Sequence, residues 1–373
     1  MKTTIIPAAD LGAAESARWR SFQQAQPELG SPFMTPELVA AAAEVRPGTR
    51  VAIIEDAGEI IGFFPFERRA LGYGVPVASG LTGCQGVVHA PDAVWDAHDL
   101  LRECGLGIWE FDHLVDGQKP FERFQVHRAK APVIDLSEGS AALLTNLRRR
   151  SSRVAKKLPK VQRQLERDFG PLRCEFGTSD PDKLRMLMAW KSDQYRWTGR
   201  TDQFARPWVN RFVSDLFDLR SPHFSLVLSV LHAGDHPVAA DVYLRRGGVM
   251  SGWFTSYDPA FAKYSPGMLH RLALIEAAAA SGVRRIDLGR GTYEHKELFK
   301  THDVIVGEGK VLRASAGAAL YYAGRAPMRN LRRSVMESPA LYRSADAVLR
   351  GFGRVHSTLT VGAHGSRPTR GSR

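Results

Sequence analysis

Between Phe224 and Lys300 the chain concentrates side chains able to move protons and to hold anions. Asp241, Asp258 and Asp287 are carboxylates that can accept a proton, Tyr257 and Tyr293 are candidate acids, and Arg290, His295 and Lys296 can stabilise negative charge. Among them lies Ser265-Pro266-Gly267, which opens a helix-like run ending at Ser281. Ser265 is a good N-cap, and Pro266 suits the first helical position, where no amide hydrogen is required. Gly267 allows another group to come close to the backbone. Free amides and the positive end of the helix dipole suit such a start to phosphate; a plain capped helix is the alternative reading.

The elements that must position these groups are legible as patterns. Two β-rich apolar runs, Phe224–Leu231 and Pro237–Leu244, flank a turn at Ala233-Gly234-Asp235, and Gly247-Gly248 leads into a third, Val249–Tyr257. Gly282 reads as the stop of the helix that begins at Pro266. A short strand, Val283–Leu288, then delivers Asp287 beside the loop Gly289-Arg290-Gly291.

Three strands, a glycine-opened helix and a further strand follow the order in which GNAT-type acyltransferases hold the pyrophosphate of acyl-CoA. The residues Tyr257-Asp258-Pro259, Tyr264-Ser265-Pro266-Gly267-Met268-Leu269, Gly282, Asp287-Leu288-Gly289-Arg290-Gly291 and Lys296 resemble the CelD-type branch of that superfamily. That branch is similar to the FemAB-like transferases, and the resemblance covers about residues 15–305. It implies an α/β fold of tandem GNAT-like domains with mixed sheets and a basic helical C-terminal extension. It also implies transfer of an acyl group, acetyl first of all, from acyl-CoA to an amine or hydroxyl of a sugar, a polysaccharide precursor or a lipid-linked envelope intermediate. Ser265, Pro266, Gly267, Met268 and Leu269 would hold the CoA. Asp287, Tyr257, Lys296 and His295 would be catalytic, with Asp287 as acceptor orienter or general base. Lys296 matches a lysine of the family's pattern, but the usual tyrosine before it is replaced by His295. Lys191 and Tyr195, in a Lys-to-Gly199 stretch that flanks the acceptor site in CelD-type chains, would bind substrate with Asp241, Arg290 and Tyr293. Two rivals stay open: a FemAB-like transferase using aminoacyl-tRNA, and a non-catalytic assembly protein at a membrane.

The first half repeats the order of the second. Ala57-Gly58 matches Ala233-Gly234, and Gly107–Asp112 matches Gly282–Asp287 at nearly the same offset, which suggests a duplicated domain. In that register Ala90-Pro91-Asp92 falls on Ser265-Pro266-Gly267, at the head of an expected helix from Ala90 to Glu103. A carboxylate at Asp92 would repel a pyrophosphate, so the second copy alone is expected to take acyl-CoA. The expected organisation is an N-terminal domain over 1–145, a basic helical connector over 146–170, a CoA-binding domain over 171–310 and a basic helical extension with a disordered tail over 311–373.

With 373 residues, 44% hydrophobic and 24% charged, the chain can form two domains. Its three cysteines have no metal-ligand spacing, so neither a metal nor a disulfide framework is expected. The N-terminus lacks the apolar core of a signal peptide, and no apolar run is long enough to cross a bilayer. A cytoplasmic location follows, with peripheral attachment to the inner membrane as an option. The net charge of +12 is concentrated: residues 148–167 hold nine Lys/Arg against Glu166, and residues 311–373 hold eleven Arg against Glu337 and Asp346. These segments fit an anionic lipid surface or an acidic partner; no motif for sequence-specific nucleic-acid recognition accompanies them. The sequence leaves the oligomeric state open.

Overall fold

The computed structural model describes residues 2–291 and 293–314. Of the basic helical extension and tail expected over 311–373, everything from residue 315 onward lies outside the described residues. The first half builds β1 (Lys2–Pro7), α1 (Ala13–Ala25), α2 (Pro36–Val45), β2 (Thr49–Asp56), β3 (Glu59–Arg68), β4 (Tyr73–Val75), β5 (Val88–His89), α3 (Ala97–Glu103), β6 (Ile108–Val115) and β7 (Gln125–Asp135). Helices α4 (Ser140–Arg150) and α5 (Leu158–Phe169) lead into β8 (Leu172–Phe176), α6 (Pro181–Trp197), α7 (Pro207–Asp218), β9 (Ser225–Ala233), β10 (His236–Arg246) and β11 (Val249–Tyr257). The chain then forms α8 (Pro266–Ala280), β12 (Arg285–Asp287), α9 (Glu294–Phe299) and β13 (His302–Leu312).

All these strands join one mixed sheet in the order β1-β2-β3-β4-β6-β13-β7-β12-β11-β10-β9-β8, with β5 beside β3. The centre is an exchange. β13, last in sequence, lies antiparallel between β6 and β7, while β7 from the first half pairs with β12 of the second. Each half therefore completes the sheet of the other.

Strand alternation sends side chains to two faces. On one face Val51 and Ile53 of β2 and Leu226, Leu228 and Val230 of β9 meet Trp19, Leu38, Phe212 and Leu216, so α1, α2, α6 and α7 close a single core across both halves. On the other, α3 covers the first half through Leu100 and Leu101, and α4, α5 and α8 cover the second through Leu147, Leu165 and Leu274. The basic segment 146–170 thus packs as well as joins. Val154, Leu158 and Leu165 are buried, whereas Lys156, Lys157, Lys160 and Arg163 face outward.

Several local expectations need correction. The helix expected from Ala90 starts at Ala97, because Asp96 is the actual N-cap and accepts hydrogen bonds from the amides of His98 and Asp99. Ala90-Pro91-Asp92 is therefore not a helix start, and the repeat loses register there; the carboxylate occupying that helix end in the first copy is Asp96. Pro159 sits in a continuous helical run, directly after a wide turn at Arg153–Lys157. Among the described residues no helix is long and apolar enough to cross a membrane.

Candidate active site

The distinctive feature of the second half is a parallel pair that comes apart. β11 and β12 pair only at Val249–Arg285, Met250–Ile286 and Ser251–Asp287, after which β11 runs on to Tyr257 without β12 beside it. The β10–β11 register shifts at the same level, leaving Trp253 as an extra residue that bends β11. That bulge is pinned from the first half, where the Leu81 carbonyl accepts the Trp253 indole N–H at 2.8 Å. Two lysines flank the gap. Lys191 of α6 donates to the Thr255 carbonyl at 3.0 Å, and Lys296 of α9 donates to the carbonyls of Gly289 and Arg290, each at 2.9 Å.

Two cavities meet at this opening. The larger, about 370 Å³, is bounded by Phe33 and Cys84 from the first half and by Ser251, Arg285 and Asp287 from the second. The smaller, about 120 Å³, is bounded by Tyr243, Thr255, Arg271, His295 and Lys296. Gly252 borders both, so the sheet is open at the point where the strands part.

The start of α8 differs from the expected cap. Ser265 is left-handed (φ 52°) and its side chain caps nothing; its carbonyl instead approaches the amides of Met268 (3.0 Å) and Leu269 (3.3 Å). Met268 and Leu269 are buried, so their side chains belong to the core. At Gly267 a Cβ would meet nothing within 4 Å. The first helical turn is therefore open at the glycine, with Pro266 beside it lacking an amide hydrogen.

The remaining candidates separate. Asp287 faces the larger cavity, bonded to Arg285 Nε (2.8 Å) and the Ser251 hydroxyl (3.4 Å); burial raises its pKa, while Arg285 and Ser251 pull it down by less. His295 and Lys296 face the smaller cavity, and the His295 ring stacks on Tyr293 with centroids 5.9 Å apart. Tyr195 lies beside Lys191, whose ammonium is 5.1 Å from its ring. Arg290 turns away to the first half, donating to the Asp112 carbonyl and to Glu308. Tyr257, at the far end of β11, borders neither cavity and packs on the α8 core. Asp241 is buried beneath the opening and borders neither cavity.

Residues 152–297 match the family of acetyltransferase (GNAT) domains. Over that stretch the chain has the fold of a GNAT domain. Among solved structures, FemX superposes with a TM-score of 0.54 at 9% identity, over 83% of this chain and 96% of that one. A conserved protein of unknown function from Bacteroides thetaiotaomicron gives 0.51 at 8% identity, over 82% and 98%. A tandem GNAT protein from the clavulanic acid biosynthesis pathway gives 0.47 at 10% identity, over 84% and 100%. At such identities the likeness to the first two is one of fold. Comparison with curated proteins found none that matches.

Within this GNAT fold the sequence reading passes over a polar network on the sheet-facing side of α8. His270 and Arg271 reach β9 and β10: Ser229 and His270 Nε2 are 2.8 Å apart, His270 Nδ1 is 3.8 Å from Asp241, and Arg271 bonds the Tyr243 hydroxyl and lies 3.7 Å from Asp241. The signal is present, since two adjacent basic side chains interrupt a largely apolar helix, but only tertiary packing shows what they face.

Burial and the nearby guanidinium groups, Arg200 beside Lys191 and Arg271 beside Lys296, lower both lysines to about 8 from 10.5. Below pH 8 both are charged in the folded and unfolded chains, so the cost of burying them is present in full. Between about 8 and 10.5 the unfolded chain holds protons that the folded one has released, so stability rises with pH. Urea midpoints across this window should therefore climb more steeply for the wild type than for the Lys191→Met/Lys296→Met double variant.

Proposed function

We propose that this chain transfers a short acyl group from acyl-CoA to an amine or hydroxyl of a sugar, a polysaccharide precursor or a lipid-linked envelope intermediate. The observation that carries the reading is the opening at Gly252, which borders two cavities, in a domain whose helix α8 has an open first turn at Gly267. The donor pyrophosphate would rest on the backbone of that turn, where amide and dipole favour negative charge. Its thioester would reach the gap between β11 and β12 while the acceptor enters from the larger cavity. The CelD-type wording of Tyr257–Lys296 supports this assignment and the acceptor class.

In this reading Asp287 removes a proton from the acceptor, and the acceptor nitrogen or oxygen attacks the thioester carbonyl. Backbone N–H groups of the unpaired stretch of β11 receive the oxyanion, the C–S bond breaks, and Lys296 or His295 protonates the departing thiolate. The cationic lining of the smaller cavity speaks against an aminoacyl-tRNA donor, because an α-ammonium group would enter beside Arg271 and Lys296.

The test is acetyl-CoA binding by calorimetry, with Gly267→Asp as the comparison. No protein atom lies where the new side chain would begin, so the variant should fold normally while its carboxylate repels the pyrophosphate. Micromolar affinity lost by about 100-fold or more is the expected result. Absence of binding by the wild type would exclude the acyl-CoA reading, and equal binding by both proteins would move the phosphate site elsewhere.

A further inference from the structure

The smaller cavity holds more positive than negative charge. Arg271 reaches it from α8 with its side chain 12% exposed, and its nearest carboxylate, Asp241, is 3.7 Å away, an ion pair without a short hydrogen bond. Lys296 contributes an ammonium whose polar partners are two backbone carbonyls, with no carboxylate in ion-pair range among the described residues. Lys191, outside the cavity lining, bonds the carbonyl of Thr255, which does line it, and the Gln194 amide oxygen. Among the described residues Asp241 is the one carboxylate in ion-pair range of any of these cations, through Arg271, and it also faces His270.

Enclosed cations that outnumber the carboxylates beside them are costly, so a site built this way gains most from an anionic ligand. The donor pyrophosphate is not that anion. Arg271 follows Pro266 by five residues, about 7.5 Å deeper along the helix at about 1.5 Å per residue. An acetyl group brings no charge to the cavity, and an aminoacyl group brings the wrong sign. A volume near 120 Å³ admits only a short group.

We propose that the transferred acyl group carries its own carboxylate, as in the CoA monothioester of a short dicarboxylic acid, and that Arg271 and Lys296 hold that carboxylate. The inference rests on the acyl-CoA reading and specifies its donor. The reaction is otherwise unchanged: the thioester C–S bond breaks, a bond to the acceptor forms, CoA leaves as the thiol, and the distal carboxylate takes no part in bond making.

The experiment measures binding of acetyl-CoA, malonyl-CoA and succinyl-CoA to the full chain by calorimetry, for the wild type, Arg271→Met and Lys296→Met. The wild type should bind malonyl- or succinyl-CoA at least about tenfold more tightly than acetyl-CoA, and this ratio should collapse towards one in each variant. Lys296→Met keeps the test decisive should the buried Arg271→Met chain fail to fold. Equal or tighter binding of acetyl-CoA by the wild type overturns the proposal, and so does a preference that survives in a folded variant. If none of the three esters binds, the acyl-CoA reading itself fails and this inference fails with it.

Discussion

Asp287→Asn should lower the turnover of acyl transfer by roughly 10²- to 10⁴-fold, the range for loss of a positioned general base, while acyl-CoA affinity stays within about twofold of the wild type. Asp287 borders the larger cavity at the last paired residue of β12, next to the point where β11 and β12 part. Asn has the same shape, its Oδ1 can still accept from Arg285 and its amide nitrogen can donate to the Ser251 hydroxyl, so the loss isolates proton removal from packing. The pH profile adds a second readout. Burial raises the folded-state pKa of Asp287 above its ordinary value, so between those two values the folded chain is protonated and the unfolded chain is not. Any stability this group contributes is present below the unfolded pKa and is lost as pH rises through the folded one. Activity runs the opposite way, appearing as the carboxylate ionises, and the acidic limb of the wild-type profile should vanish from the residual activity of Asp287→Asn. A variant that retains most of its turnover, or keeps the same acidic limb, would remove Asp287 from the role of base.

Sequence patterns carry the second half further than the first. The hairpin of β9 and β10, the strand β11, the entry into α8 at Pro266 and its stop at Gly282 all follow from local rules of turn chemistry and alternation. β13 is not legible in the same way, because Gly307 and Gly309 dilute its β pattern and its partners β6 and β7 belong to the other half. The exchange of β7 and β13 is invisible to any local reading: whether a strand pairs with its own half or the other is decided by which edge remains open. Asp96 illustrates a smaller failure. Pro91 is compatible with a helix start, yet Asp96, immediately before α3, decides the boundary by accepting from two amides.

The site shows the same division. Motif wording places Asp287 and Lys296 at the opening, but it cannot say that they serve different cavities. Arg290 illustrates why: in sequence it adjoins the site, whereas in space the loop carries its guanidinium across to Glu308 on β13. Arg271 is hidden for the converse reason, since a helix turn separates it from the motif while the sheet brings it to the gap.

Asp241→Ala should cost about 3–5 kcal/mol of stability, the range for breaking a buried ion pair from one side. Asp241 is 2% exposed, accepts a hydrogen bond from the Tyr243 hydroxyl at 3.2 Å, and supplies the carboxylate nearest to Arg271 and His270. Removing it leaves the Arg271 guanidinium in the core with only the Tyr243 hydroxyl for a partner. Asp241→Asn keeps the hydrogen-bond acceptor and loses the charge, so its cost should fall between those of the wild type and Asp241→Ala. His270 gives the experiment a pH signature. Burial lowers its pKa below the ordinary 6.5, and the Asp241 charge opposes that shift. As pH falls below 6.5 the unfolded chain takes up a proton that the folded chain refuses, so stability declines with acidification. Without Asp241 nothing offsets the burial of His270, its folded pKa drops further, and the decline should extend to lower pH in Asp241→Asn than in the wild type. Urea unfolding from about pH 7 to about pH 5 measures both effects. If Asp241→Ala unfolds at the wild-type midpoint, the network does not hold α8 on the sheet, and Arg271 must find its counter-charge elsewhere.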